Sequence, residues 1–543
     1  MINNSEIIWK PTRASTITAI LSGITTSLVY AFYLLAGNFR ATFGPIDDHE
    51  PLSWLDGQDN LPLANFAHVL LDRTEVGDFG DTVRFRPSYY VLRVGQAVLF
   101  GNNPTLWYAF AFLIFTATVA LLGFLAWVWI SLGIGKTRKS LEYFLALVVP
   151  VAGVIMFGSL RAWTGIVARL GPSELLAMLG VAMILVASTY LVMQPSSWWW
   201  PVLLLGTLLA VGAKENFLPI ALVPVGVGLF RFSRRRSLAS VALTAVSAII
   251  PVLVVFGVSS SAGLNGTDVY GRTVGVARAV DALSVLFGTY ASYWIPGTLL
   301  LLGSLFLWLL VQPRPPRDIR VLIVFAVSTA LLWLIFDAWT YRGVYEMIRY
   351  WMVFDFLKAL GVIASAALAV NVLAHRRGTA GRGFALIALL ASSALAALQM
   401  VAVPQSASAI REEVRANALA ASIWNEGVAM VLRQIRTLDQ PQVLVIPRGS
   451  IDFEPVIALT QALSHEGDQA AVFVKTQADV SATPEGAPSL EILQLEGWKD
   501  PRIEPLSAFD ENSEVLCVFL NAEPTEIEGC SLDRSVSVWA RGI

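Results

Sequence analysis

Long apolar runs, separated by short polar segments, occupy most of the chain up to residue 402. They are mostly about 17–25 residues long, which lets a helix cross about 30 Å of hydrocarbon. We count eleven runs, near residues 15–36, 106–133, 141–159, 173–193, 198–213, 217–231, 238–257, 295–311, 321–337, 350–374 and 384–402. The pattern predicts a polytopic α-helical membrane protein with about 11 transmembrane helices.

Lysine and arginine collect in the loops on one side of this predicted bundle, apart from the uncharged loop 194–197. They are Lys10, Arg13, Lys136, Arg138, Lys139, Arg231, Arg234, Arg235, Arg236, Arg314, Arg317, Arg320, Arg376, Arg377 and Arg382. Because cytoplasmic loops carry an excess of lysine and arginine, we expect the N-terminus to be cytoplasmic and the C-terminus to be extracytoplasmic. The membrane is expected to be the inner or plasma membrane. The run 15–36 is too long for a cleavable signal peptide, so we expect a retained anchor.

The pattern changes after residue 402. The stretches "QVLVIP", "AAVFVK" and "EVLCVFL" predict buried strands, and a helical pattern lies around 454–465 between the first two. An amphipathic segment, 408–437, joins them to the last apolar run. We therefore divide the chain into a transmembrane domain, 1–402, and a small extracytoplasmic α/β domain, 403–543.

Composition supports this division. The chain is 55% hydrophobic and only 14% charged, whereas a soluble protein has about 25% charged residues. Its net charge of −2 averages 21 acidic and 10 basic residues in 403–543 with an excess of basic residues before them.

Both cysteines, Cys517 and Cys530, lie in the C-terminal region, which suits an oxidising compartment. We predict that they form a disulfide; the alternative is two buried thiols.

The first external segment, 37–105, is longer than a connection requires. Its stretch "NLPLANFAHVLLDR" places apolar residues at helical spacing, so we expect an interfacial helix lying on the membrane surface. A second helix is expected to begin at Pro87 and Ser88, because proline favours the first turn.

Four polar clusters fall on the predicted extracytoplasmic side, where ionisable residues beside a membrane are candidates for function. They are Asp47, Asp48, His49 and Glu50; Asp81, Arg84, Arg86 and Tyr89; Lys214 and Glu215; and Asp337, Arg342, Glu346, Arg349 and Tyr350. Simpler roles exist for each: a solvated loop for the first, interfacial arginines for the second, a capping ion pair for the third and a span anchor for the fourth. Their joint placement, with acids in the first loop and cations at three other places on the same side, favours a site that deprotonates one substrate and holds the phosphate of another.

Metal and cofactor motifs are weak. The four histidines show no pair at ligand spacing, and no P-loop or dinucleotide fingerprint is present. We predict no metal site and no certain cofactor, although a divalent cation could be held by Asp47, Asp48 and Glu50.

Three short motifs carry a resemblance to a known family. "IDDHE" follows the first span, "RFRPSYY" comes later in the same loop, and "AKENF" lies in a later external loop. With the predicted spans, this arrangement resembles the GT-C superfamily of membrane glycosyltransferases, including the mannosyltransferases that bear TPR repeats. This chain has an α/β domain in place of those repeats.

The resemblance implies an inverting transfer of a sugar from a polyprenyl-phosphate donor to a hydroxyl of a glycan, lipid or protein acceptor. Asp47 would be the general base, with Asp48 as the alternative. The resemblance also implies that cationic residues hold the donor phosphate: Arg84, Arg86, Lys214, Arg342 and Arg349. Other polar residues would bind the substrates: His49, Glu50, Tyr89, Glu215, Glu346 and Tyr350. Membrane lipids are expected partners, and nucleic acid is not.

Two other classes of protein would place charges among membrane spans. A transporter or flippase of lipid-linked saccharides usually has internal repeats and a site near the middle of the membrane, and we find no repeat. A surface-polysaccharide polymerase or ligase would share the compartment and the substrates.

Overall fold

The computed structural model describes most of the chain. The described ranges are 11–46, 48, 50–55, 57–77, 85–135, 138–193, 198–235, 291–311, 348–375, 379–438, 441–447, 453–466, 470–474, 514–524 and 530–539, with single residues between some of them. The predicted site residues Asp47, His49, Arg84, Arg342 and Glu346 lie outside these ranges, as does most of the predicted runs 238–257 and 321–337.

Helices make up most of the described chain. In chain order they are α1 (Arg13–Leu35), α2 (Glu50–Leu55), α3 (Phe66–Asp72), α4 (Pro87–Phe100), α5 (Pro104–Ile134), α6 (Lys139–Gly158), α7 (Thr164–Val167), α8 (Glu174–Met193), α9 (Trp199–Ala213), α10 (Leu222–Arg235), α11 (Ala291–Val311), α12 (Met352–His375), α13 (Thr379–Ile435) and α14 (Phe453–His465). Short 3-10 helices include Ala36–Arg40, Leu63–Asn65, Arg161–Trp163, Glu215–Ala221, Ile348–Trp351 and Leu532–Arg534.

Six helices in the described ranges are long and apolar enough to cross a bilayer: Arg13–Arg40, Pro104–Ile134, Lys139–Gly158, Glu174–Met193, Met352–Leu373 and Arg382–Ile435. Three shorter apolar helices, Trp199–Ala213, Asn216–Phe230 and Trp294–Gly303, coincide with other predicted runs. The chain therefore has several long apolar helices, as a membrane-embedded protein requires. The count of eleven spans stays a prediction.

Small residues let the apolar helices approach each other closely. A Cβ atom on Gly180 of α8 would lie 2.5 Å from the carbonyl oxygen of Gly206 in α9, and one on Gly153 of α6 would lie 2.9 Å from Cα of Gly123 in α5. Hydrocarbon provides little hydrophobic driving force between helices, so contacts of this kind supply much of their packing energy.

The N-terminal ends of α1 and α6 lie together. The hydroxyl of Thr12 accepts from the amide of Ser15 and so caps α1, while the amide of Thr12 donates to Glu142 in the first turn of α6, at 2.6 Å. The C-terminal ends of α1 and α6 therefore lie at the other end of the bundle, where α1 leads into the first loop and α6 leads into the segment that begins at Ser159.

The two segments of the first loop that were predicted to be helical are helices in the structure, and the placement of the first on the membrane surface stays a prediction. The 3-10 turn Leu63–Asn65 leads into α3, and Pro87 is the first residue of α4. The apolar stripe of α3 is divided: Val69 is buried, Phe66 and Leu70 pack against the core, and Leu63 and Leu71 are exposed.

The C-terminal region contains a sheet of four parallel strands in the order β2-β1-β3-β4: β1 (Gln442–Pro447), β2 (Ala471–Val474), β3 (Val515–Leu520) and β4 (Ser535–Val538). The three predicted strands are confirmed, and α14 is the predicted helix between the first two. Val443 and Val445 of β1 face the cluster formed with α13 and α14, whereas Leu444 and Ile446 belong to the other buried face. Burial on both faces explains why the strands have continuous apolar sequences.

The predicted disulfide is confirmed. Cys517 of β3 is bonded to Cys530, and their Cα atoms are 5.9 Å apart. Cys530 precedes β4, which runs parallel to β3, so the bond closes the crossover between these two neighbouring strands.

One helix joins the membrane region to the sheet. The predicted span 384–402 and the predicted amphipathic segment 408–437 form a single helix of 57 residues, α13, which contains Pro404 and has no break at residue 402. The amide of Asn425 donates to the hydroxyl of Thr42 at 2.8 Å and to the carbonyl of Phe43 at 3.0 Å. The C-terminal part of α13 therefore packs along the first loop.

Candidate active site

The segment 159–173, between α6 and α8, is the meeting point of several distant parts of the chain. Its backbone carbonyls accept hydrogen bonds from Asn38 at Val167 (2.8 Å), from Asn417 at Ala168 (2.7 Å) and from Tyr89 at Gly171 (2.8 Å). Its backbone amides donate to Asp355 from Ala162 (3.2 Å) and to Asp48 from Leu170 (2.5 Å). Side chains from the first loop, α4, α12 and α13 thus bind the backbone of this one segment, which contains the 3-10 helix Arg161–Trp163 and the short helix α7.

The structure describes two acids of the first-loop cluster, Asp48 and Glu50. The side chain of Asp48 is fully buried, with Oδ2 accepting from the hydroxyl of Tyr108 at 2.5 Å and Oδ1 accepting from the amide of Leu170 at 2.5 Å. The Tyr108 hydroxyl also lies 3.5 Å from Nδ2 of Asn417. With both oxygens engaged, Asp48 fixes the first loop to α5 and to the segment 159–173.

Arg86, predicted to hold the donor phosphate, is paired within the first loop. Its Nε donates to Glu75 at 2.8 Å, and its Nη2 donates to the other oxygen of the same carboxylate. This two-point contact is the strongest geometry that an arginine and a carboxylate form. The pair is largely buried, with side-chain exposures of 12% and 17%.

Two tyrosines of α4 surround this pair. The guanidinium carbon of Arg86 lies 5.4 Å from the ring centroids of both Tyr89 and Tyr90, and the hydroxyl of Tyr90 lies 3.4 Å from Glu50. Burial raises the pKa of the Tyr90 phenol well above its usual value, and the negative charges of Glu50 and Glu75 raise it further. Tyr90 is therefore a neutral donor beside two carboxylates.

Lys214 and Arg349, two other predicted phosphate ligands, share an acidic neighbour. Nζ of Lys214 lies 3.0 Å from Oε1 of Glu174, the buried first residue of α8, and Arg349 also acts electrostatically on this carboxylate. The backbone of Arg349 packs against Gly165 of α7, where an added Cβ would lie 3.3 Å from the Arg349 amide nitrogen.

The start of α4 brings this charged group close to the first loop. The hydroxyl of Ser88 donates to the carbonyl of Leu208 in α9 at 2.7 Å, six residues before Lys214. Tyr89 reaches Gly171, three residues before Glu174. The structure therefore brings Asp48, Tyr89, Lys214 and Arg349 together around the segment 159–173 and the adjacent Glu174.

Two other predicted substrate-binding residues are located by their backbone only. Glu215 begins the 3-10 helix that follows Lys214, and Tyr350 lies in the turn Ile348–Trp351 beside Arg349. Their side chains are outside the described part of the chain.

Sequence reasoning missed the segment 159–173 as well as Glu174, Asn417 and Arg93. The signal in the sequence is "LRAWTGIVARLGPSE", in which arginine, glycine and proline interrupt two apolar runs on the predicted external side. Asn417 gives no such signal, because it is one polar residue in an amphipathic helix.

Metal ligands do not converge in the described ranges, where no group of three or more His, Cys, Asp and Glu side chains is placed to hold an ion. Asp47 lies outside those ranges, so the divalent cation considered at Asp47, Asp48 and Glu50 stays a prediction.

No protein-family model, curated protein or solved structure matches this chain. The functional assignment rests on its residues and their arrangement.

Proposed function

We propose that this protein is an inverting membrane glycosyltransferase. It transfers a sugar from a polyprenyl-phosphate donor to a hydroxyl of a glycan, lipid or protein acceptor, at the extracytoplasmic face of the inner or plasma membrane. The N-terminus is cytoplasmic in this proposal, and the α/β domain lies outside with the first loop.

The observation that carries the proposal is the convergence of acid, phenol and cation on the segment 159–173. The chain positions of Asp48, Lys214 and Arg349 are far apart, yet the first loop and the turn before α12 meet at this segment, and the end of α9 meets Glu174, the residue that follows the segment. Glycosyl transfer from a lipid phosphate needs a base for the acceptor and positive charge for the departing phosphate.

Asp47 acts as the general base in this mechanism. As the acceptor oxygen bonds to the anomeric carbon, its proton passes to the Asp47 carboxylate, and the bond from that carbon to the phosphate oxygen breaks with both electrons leaving on the phosphate. The engaged oxygens of neighbouring Asp48 support a positioning role for that residue.

The cations divide into two groups. Lys214 and Arg349 stabilise the departing phosphate from the side of Glu174, and Arg84 of the first loop and Arg342 of the predicted external segment 338–349 are assigned the same task. Arg86 is not assigned to the phosphate directly, since it is bonded to both oxygens of Glu75; it is assigned to holding the first loop around the site. Tyr89, Tyr350, His49, Glu50, Glu215 and Glu346 are assigned to the substrates.

The test is a deletion strain that carries the parent gene, Asp47→Asn or Asp59→Asn. Asp59 is an exposed acid of the same loop, so its variant is the matched control. Mass spectrometry should find accumulated lipid-linked sugar and an under-glycosylated product with Asp47→Asn but not with Asp59→Asn. Cytoplasmic build-up of a lipid-linked saccharide in the deletion strain would instead support a flippase.

Orientation has its own test. Protease added to spheroplasts should cleave the region after residue 403, because the proposal places it outside. Protection of this region, with cleavage restored after lysis, would place the α/β domain in the cytoplasm and contradict the proposed topology.

A further inference from the structure

Arg93 of α4 is a buried arginine whose charge has no carboxylate beside it among the described residues. The residue is 4% exposed, and neither Nε nor Nη2 has a hydrogen-bond partner in the described part of the chain. Removing a charge from water without a partner is strongly unfavourable. A chain that buries such a group therefore needs a compensating interaction.

Aromatic rings supply part of that compensation. The guanidinium carbon lies 4.6 Å from the ring centroid of Trp107 and 5.7 Å from that of Tyr89. Contacts of a cation with a ring face stabilise the positive charge but use none of its N–H groups. The in-plane donors of Arg93 are left for an acceptor.

The residue that precedes the same helix shows which acceptor fits these donors. Arg86, seven residues earlier, uses its Nε and Nη2 to hold both oxygens of Glu75. These two nitrogens carry parallel N–H bonds, which match a carboxylate or a phosphate at two points. Arg93 presents the same edge with no acceptor from the described chain.

Arg93 also lies beside the candidate active site. Tyr89, one helical turn earlier, donates to Gly171, and Asp48 accepts from the adjacent Leu170. Trp107, whose ring Arg93 covers, directly precedes Tyr108, the donor to Asp48. The Nε and Nη2 groups of Arg93 therefore lie close to the residues that bind the segment 159–173.

We infer that Arg93 is an anion-binding residue that holds a phosphate group through Nε and Nη2. Within the proposed function, on which this identification of the ligand rests, the phosphate is that of the polyprenyl donor. The headgroup of an anionic phospholipid offers the same oxygens. Because the two nitrogens are buried, neighbouring side chains must move before the anion reaches them.

Binding of a short-chain polyprenyl phosphate to the purified full-length protein in neutral detergent tests this inference. The variants are Arg93→Gln and Arg93→Lys, and the matched control is Arg73→Gln, which changes an exposed arginine of the same loop. We expect Arg93→Gln to weaken binding about tenfold or more, since a charge-assisted contact is lost. Arg93→Lys should weaken it less, and Arg73→Gln should not change it.

Arg93→Lys keeps the charge, so it carries the test if Arg93→Gln does not fold. Unchanged affinity in the folded Arg93 variants, or equal binding of the uncharged polyprenol to the parent, would overturn the inference. Equally tight, Arg93-dependent binding of phosphatidylglycerol would retain the anion site and assign it to a lipid headgroup.

The binding experiment contains no sugar, so it is independent of transfer. Arg93-dependent binding in a protein that transfers no sugar would keep the anion site and reject the transferase. Normal sugar transfer with unchanged phosphate binding in the Arg93 variants would keep the transferase and reject the anion site at Arg93.

Discussion

The hydroxyl of Tyr108 donates a hydrogen bond of 2.5 Å to the buried carboxylate of Asp48. Tyr108 belongs to the first turns of α5, and Asp48 to the loop that leaves α1. The amide of Leu170 donates to the other oxygen of Asp48, also at 2.5 Å. Asp48 therefore holds the first loop in place, and the proposed mechanism gives the role of general base to its neighbour Asp47.

Asp48→Asn should destabilise the fold, because one oxygen becomes an amide nitrogen that faces a donor. An unsatisfied buried group costs about 1–3 kcal/mol. Asp47→Asn should leave thermal unfolding unchanged and slow transfer by about 10²–10⁴, as loss of a general base does. Unfolding in detergent and the transfer rate are measured for both variants.

Loss of rate without loss of stability in Asp48→Asn would exchange the two roles. If both variants transferred sugar at nearly the parent rate, the first-loop acids would be a solvated connection and the glycosyltransferase proposal would fall.

Glu75→Gln should destabilise the protein by about 3 kcal/mol, because it removes the negative charge that the largely buried Arg86 contacts at two points. Glu413→Gln is the matched control. Its partner Arg169 is 3.9 Å away and both side chains are about a third exposed, so the loss should be below about 1 kcal/mol. Equal effects of the two substitutions on the free energy of unfolding would contradict the importance of the first-loop pair.

Tyr90 should make the protein sensitive to alkali. The unfolded chain releases the phenol proton near pH 10, whereas the folded protein retains it because burial, Glu50 and Glu75 raise the pKa of Tyr90. The stabilisation is fully present below about pH 10 and is lost as pH rises through the folded pKa. Tyr90→Phe should reduce this alkaline loss in thermal unfolding measured from pH 8 to pH 11; identical slopes would refute the assignment.

The bond between Cys517 and Cys530 should stabilise the sheet. It joins residues 13 apart, and a loop of about this length contributes about 3 kcal/mol in the chain-entropy description. Replacing both cysteines with alanine should lower the unfolding temperature in non-reducing buffer. A thiol assay of the denatured parent should find two more thiols after reduction, and an unchanged count would exclude the bond.

Local signals in the sequence were enough to predict much of the fold. Apolar runs predicted the helices, Pro87 predicted the start of α4, and continuous β-branched and apolar stretches predicted β1 to β3. Strand β4 was missed because "SVSV" is only four residues long and half polar.

The pairing of charges could not be predicted, since it depends on contacts between distant parts of the chain. Lys214 was considered beside Glu215, and the structure also places it 3.0 Å from the carboxylate of Glu174, forty residues earlier. Arg86 was assigned to a phosphate, although the turn after α3 supplies Glu75. Both arginine-rich and acidic motifs indicate where polar chemistry lies, and only the packing of helices decides which charges neutralise one another.

Because α13 is one continuous helix, the rotation of its C-terminal part, which packs against the first loop, is fixed relative to its apolar N-terminal part. Each residue of an α-helix adds about 1.5 Å of height and about 100° of rotation. Inserting two alanines between Pro404 and Asn417 would turn everything beyond them by about 200°, so Asn417 and Asn425 could no longer reach Ala168 and Phe43 together. Inserting seven would restore the direction within about 20° but raise the sheet by about 10 Å. Evolution can therefore lengthen the connection to the sheet only by changing the first loop with it.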